Sequence, residues 1–91
     1  MGLLFDWDES NRKHVARHRV TPAEAEQVVL NDPLDLEMQT EDGEERLVQL
    51  GATDKGRILI VITSWRGGMV RVITAFPAPG QLRELYLRMT T

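Results

Sequence analysis

The sequence predicts an α+β domain: an antiparallel sheet with two helices before it and one after, in the order βααββββα. Three observations carry this. Two helix-start signals stand close together, at Asp8 and at Thr21-Pro22-Ala23-Glu24. Four strand-like runs follow, separated by the turn signals Asp42-Gly43, Lys55-Gly56 and Gly67-Gly68. The last segment returns to helical spacing at Leu82, Leu85, Tyr86 and Met89. Successive strands joined by tight turns make a meander, and helices at its ends pack upon it.

Each element has a local cause. Leu3-Leu4-Phe5-Asp6-Trp7 reads as a short strand. Asp8 is a good N-cap, and Glu9 in the first turn suits the helix dipole. The helix to about His18 carries few apolar residues, mainly Val15 and Ala16, so it lies on a surface. Thr21 at the N-cap, Pro22 at N1 and Glu24 at N3 form a capping box, with Val20 positioned to staple against Ala25. This second helix runs to about Leu30, where Asn31-Asp32-Pro33 ends it. Leu34 to Thr40 alternates apolar and polar residues, a half-buried strand. Asp42-Gly43 turns the chain, and Arg46 to Ala52 alternates more loosely. Ile58-Leu59-Ile60-Val61-Ile62 is apolar throughout and rich in β-branched residues, hence a central strand buried on both faces. Arg66-Gly67-Gly68 leads into a strand from Met69 to Ala75. Pro77 and Pro79 stop it before the final helix.

Composition narrows the class. Ninety-one residues, 42% apolar and 27% charged, suit one domain spanning 1–91 with a modest core. No cysteine is present, so neither a disulfide framework nor a thiolate metal site is expected. No apolar run is long enough for a membrane span and no leader pattern opens the chain, so a cytoplasmic protein with no membrane partner is expected. The net charge of −3 hides a segregation. Residues 21–45 hold nine acids and no Lys or Arg; residues 46–91 hold seven bases against two acids. Two readings fit: separate basic and acidic faces, or opposite charges that meet in the fold.

Few residues are placed for chemistry. On a strand of period 2, Arg71 shares a face with Met69, Ile73 and Ala75, opposite Val70, Val72 and Thr74. A cation there is costly unless paired or at an open edge. It is either a guanidinium held for phosphate or half of an ion pair with an acid from residues 32–45. His14 and His18 are four apart on one helical face, a spacing that can share a metal. No third His, Cys or patterned carboxylate completes a set, so no metal is expected. His18, adjoined by Arg17 and Arg19, suits general acid–base work; the alternative is a solvated histidine at a helix C-terminus. Arg46, Arg57 and Arg66 sit near strand ends, solvated or clustered into an anion site. Trp7 and Trp65 are candidates for stacking on bases, with core cover the alternative for Trp7. The sequence contains no phosphate loop, nucleophile elbow, Ser–His–Asp pattern or dinucleotide fingerprint.

Taken in order, several of these segments resemble the BrnT family, small ribonuclease toxins of type II toxin–antitoxin pairs with a RelE-like fold. The resemblance rests on Phe5-Asp6-Trp7-Asp8, the helix ending in Arg17-His18, and Val20-Thr21-Pro22-Ala23-Glu24-Ala25. It continues through Glu45-Arg46, Gly56-Arg57 before Ile58-Leu59-Ile60-Val61, Arg71-Val72-Ile73-Thr74-Ala75-Phe76, and Tyr86 in the last helix. It covers nearly the whole chain. Five positions depart from the family's usual residues: Asn11 for Lys, His14 for Asn, Arg19 for Gly, Phe76 for Arg, and Leu82 near a usual Glu. The resemblance implies metal-independent RNA cleavage that inhibits translation, without a cofactor. His18 is then the acid or base, Arg46, Arg57 and Arg71 hold phosphate, and Arg17, Arg66 and Tyr86 support the substrate. It also implies an antitoxin partner, encoded nearby, that covers the active face. A homo-oligomer stays open. The alternative is a non-catalytic protein-interaction or RNA-binding module on the same fold, using the acidic segment 21–45 and exposed edge strands.

Overall fold

The computed structural model describes residues 2–90. Its elements are β1 (Leu4–Phe5), α1 (Glu9–Arg17), α2 (Pro22–Leu30), β2 (Leu34–Glu41), β3 (Glu44–Ala52), β4 (Ile58–Arg66), β5 (Met69–Pro77) and α3 (Gly80–Met89). The order matches the sequence expectation. Both early helices begin at their caps. Thr21 and Glu24 close the expected capping box. Asp8 closes another with Asn11, whose side-chain oxygen reaches back to the Asp8 N–H.

The strands form one sheet in the order β1-β5-β4-β3-β2. β2 through β5 are the expected antiparallel meander. β1 differs: it pairs parallel to β5, Leu4 beside Met69 and Phe5 beside Val70, so the sheet is mixed. β4 lies third of five, and Ile58 through Val61 are buried, as an unbroken apolar run requires.

One irregularity in β5 changes which side chains share a face. Val72 pairs with Thr63 but Thr74 pairs with Ile62, leaving Ile73 as an inserted residue. The simple alternation from Met69 to Ala75 therefore fails. Val70, Val72 and Ala75 all turn into the core. By the register, Arg71 shares the other face with Thr74 and Phe76. Arg71 thus escapes the apolar neighbours, Ile73 and Ala75, that period 2 assigns to it.

Helices cover both faces of the sheet. On one, Val15, Val20, Ala25, Val28 and Val29 pack against Leu59, Val61, Val72 and Ala75, with Phe5 and Trp7 at the margin. On the other, Leu82 and Tyr86 of α3 join Phe76 over Val48, Leu50, Ile58 and Ile60. Trp7 covers core, and its indole N–H donates to Glu26 at 2.7 Å.

Gly51 lies in close contact with α2 and the turn that follows it. A β-carbon there would lie 3.0 Å from both Pro33 Cβ and Val28 Cγ1. Neither neighbour is the far end of a flexible chain, so Gly51→Ala should destabilise the fold by roughly 1–3 kcal/mol. A urea titration checks this, and an unchanged midpoint would contradict the close packing.

Candidate active site

His18 sits where α1 ends, and the ending has a defined geometry. The Arg19 N–H donates to the Ala16 carbonyl at 3.0 Å and the Val20 N–H to the Val15 carbonyl at 3.0 Å. This is a Schellman motif, with buried Val15 and Val20 making its apolar contact. The residue after the cap must turn left-handed, and Arg19 does so at φ 59°. Glycine takes that conformation without strain; arginine does not. The cap leaves His18 exposed, with its ring centroid 5.8 Å from that of Phe76. Arg17 and Arg19, on either side, are exposed, and among the described residues neither has a carboxylate partner.

The other predicted cations are already engaged. Arg57 Nη1 donates to the Arg19 carbonyl at 2.7 Å and to both Glu24 oxygens at 3.1 Å. It ties the turn after His18 to the start of α2. Arg46 pairs with Glu44 at 3.0 Å and Glu41 at 3.1 Å. Arg66 also bonds Glu44. Arg71 lies 3.0 Å from Asp8 and 3.6 Å from Asp6. Its expected partners in residues 32–45 are therefore replaced by two N-terminal acids, because β1 runs alongside β5 and delivers them. The rest of the charge segregation resolves as contact between opposites: Arg46, Arg57 and Arg66 all meet acids from residues 21–45.

These contacts shape the electrostatics. The Arg71 guanidinium, followed by the Asn11 N–H, holds Asp8 below the ordinary carboxylate range. Asp8 in turn raises Arg71. Glu44 is lowered by Arg46 and then Arg66. Glu24 is lowered first by the Thr21 N–H and then by Arg57.

The predicted residues fall into two groups at opposite ends of β5. Arg46, Arg66 and Arg71 lie toward the hairpin tips; Arg66 and Arg71 line a concavity of about 360 Å³ with Asp6 and Met69. His18 and Arg57 lie at the other end, beside Phe76 and the turn into α2. Arg17 lines a shallow recess on the outer side of α1 with His14 and Lys13. Tyr86 packs on the α3 cluster. Among the described residues, no three His, Asp or Glu side chains gather as a metal site needs, and no helix is long and apolar enough to cross a membrane. Sequence reasoning weighs Asp6 and Asp8 as bases but favours cap and turn roles for them, and it takes Arg19 only as a neighbour of His18. The signal for Arg19 was its place after Arg17-His18, where a helix-ending glycine is usual.

The family model of BrnT, the ribonuclease toxin of type II toxin–antitoxin systems, matches residues 7–79. The chain belongs to the BrnT family. That span takes in α1, α2 and β2 to β5, and so both groups of charged residues. No curated protein matches the chain. Membership makes it a ribonuclease toxin of the type II class, with RNA as substrate and an antitoxin as counterpart. Within this BrnT chain the charged residues divide by availability. The arginines at strand ends are neutralised by its own acids, whereas the His18 end of α1 presents two cations with no carboxylate partner among the described residues.

Proposed function

We propose that this chain is an active toxin that cleaves single-stranded RNA without a metal, with the chemistry at His18. The observation that carries the reading is that the exposed His18 lies in the chain between two exposed arginines, Arg17 and Arg19, neither matched by a carboxylate among the described residues. His18 accepts the proton of a ribose 2′-hydroxyl. The freed oxygen attacks the adjacent phosphorus, the bond to the 5′-oxygen breaks, and that oxygen takes a proton from water. Arg17 and Arg19 balance the charge that grows on the phosphate oxygens. Phe76 offers a ring on which a base stacks, worth roughly 1–3 kcal/mol.

Arg71 suits a second phosphate. It shares the sheet face of Phe76, and their β4 partners Ser64 and Ile60 are four residues apart, roughly 13 Å along the strand. RNA lying along β5 reaches both. Phosphate must displace Asp8, and exchanging one partly exposed ion pair for another costs roughly 0–1 kcal/mol. Arg57 is a positioning residue, holding the turn that carries His18, and Arg46 braces the hairpin tips. RNA and an operon-repressing antitoxin are both met in the cytoplasm, where we put the protein.

The test is the purified chain incubated with an RNA oligonucleotide, with and without EDTA. Fragments ending in 2′,3′-cyclic phosphate and beginning with 5′-hydroxyl are expected in both. Intact RNA from folded protein, together with normal growth on expression without antitoxin, would overturn the reading. Salt-dependent RNA binding with no product would identify a binding module instead.

A further inference from the structure

The acidic segment singled out in the sequence is only partly used by the contacts described above. Of its hairpin acids, Glu41 and Glu44 are neutralised by Arg46 and Arg66. Among the described residues, no cation pairs with Asp35, Glu37, Asp42 or Glu45. These four line or adjoin β2, which ends the sheet and pairs on one side only. From Glu37 to Glu41 every residue of β2 is exposed. An edge of this length presents a row of unpaired backbone N–H and C=O groups, the template for one more strand.

The register gives that edge two chemically different sides. Glu37 pairs with Val48, Gln39 with Arg46 and Glu41 with Glu44, so these three lie on the α3 side of the sheet. Met38 pairs with Leu47 on the opposite side. There Met38, Leu47 and Trp65, with Glu45, line a shallow recess of about 260 Å³. Met38 is 55% and Trp65 47% exposed, large values for apolar side chains this close together.

We propose that β2 is the docking edge for the antitoxin, which adds a strand whose side chains alternate between basic and apolar. Its cations meet Glu37 and Glu41 on one side. Its apolar residues enter the recess beside Met38 and Trp65, with a further cation near Glu45. A second copy of this chain does not fit the same edge. Antiparallel pairing of two β2 strands about Gln39 would set Glu37 against Glu41 twice, and like charges directly opposite are destabilising. RNA does not fit either, because the edge is acidic. The inference rests on the antitoxin implied by the toxin reading, though not on cleavage itself, and it departs from the family expectation by anchoring the antitoxin at the sheet edge opposite β1 and not on the active face.

The test uses the full chain and the purified product of the antitoxin gene beside its own. Amide shifts are mapped on ¹⁵N-labelled chain as antitoxin is added, and affinity is measured for wild type, Glu37→Lys/Glu45→Lys and Trp65→Ala. The largest shifts should fall on residues 35–41 and the Trp65 indole, and each variant should bind at least tenfold more weakly. Glu45 and Trp65 line the recess and Glu37 lies on the other side of the sheet, and circular dichroism checks that each variant folds. The proposal is overturned by shifts centred on Arg71 or α1 with β2 unmoved, by variant affinities within twofold of wild type, by β2-mediated dimers of the chain alone, or by no complex. Neither readout involves RNA, so an inactive chain that still docks through β2 would overturn only the cleavage reading.

Discussion

Replacing Asn11 with alanine should destabilise the protein by about 2–3 kcal/mol. For a domain of this size that lowers Tm by roughly 10–20 °C. Asn11 stands in a polar helix, yet it is only 2% exposed. Its side-chain nitrogen donates to the Asp6 carbonyl at 2.9 Å and the Val72 carbonyl at 3.0 Å, and its oxygen accepts from the Asp8 N–H at 2.7 Å. The reason lies in β1. The Asp6 N–H bonds the Val70 carbonyl, as a parallel strand should. Two residues on, the chain has turned into α1, and the Asn11 amide takes the Val72 carbonyl in place of the strand that ended. Alanine leaves that carbonyl, the Asp6 carbonyl and the Asp8 N–H unpaired. Asn11→Asp should be at least as harmful, because it sets a carboxylate against two carbonyl oxygens. Thermal melts followed by circular dichroism check both, and a loss below about 3 °C for Asn11→Ala would show that water replaces the amide.

That bond explains where sequence reading of the fold stops. Features with a local cause were legible: the caps at Asp8 and Thr21, the Asp42-Gly43 turn, the buried Ile58–Val61 run and the order of elements. Features that depend on distant pairing were not. The parallel placement of β1 has no local signature, since it joins residues more than sixty apart in the chain. The burial of Asn11 follows from it. So does the choice of Asp6 and Asp8 as partners of Arg71. The inserted Ile73 is equally silent, because an apolar residue in a β-branched run fits either face until the partner strand fixes the register.

The candidate site was legible in kind more than in arrangement. Arginines near strand ends were visible, but charge in a sequence carries no sign of which acid will face it. Folding satisfied Arg46, Arg57 and Arg66 from within. His18 kept its exposure for a local reason: it caps a helix whose next residue leaves in the left-handed region. Local geometry of that kind can be read from sequence, and it singles out Arg19 as the residue whose chemistry opposes its backbone.

Arg19 therefore separates function from stability in one substitution. Arg19→Gly should raise Tm by about 2–8 °C, since glycine removes a left-handed cost of roughly 1 kcal/mol. The same change should slow RNA cleavage about tenfold, the loss of one charge-assisted contact to phosphate. His18→Ala removes the proton acceptor and should slow cleavage roughly 100- to 10,000-fold. His18 is exposed and its ring makes no hydrogen bond among the described residues, so this variant should melt near wild type. The comparison is internally controlled. Arg57→Ala should lower Tm by releasing Glu24 and the Arg19 carbonyl, with cleavage falling in parallel as the turn loosens. Arg19→Gly should move the two quantities in opposite directions. A faster enzyme from Arg19→Gly would mean that Arg19 only strains the cap, and undiminished cleavage by His18→Ala would move the chemistry to the Arg71 end of β5.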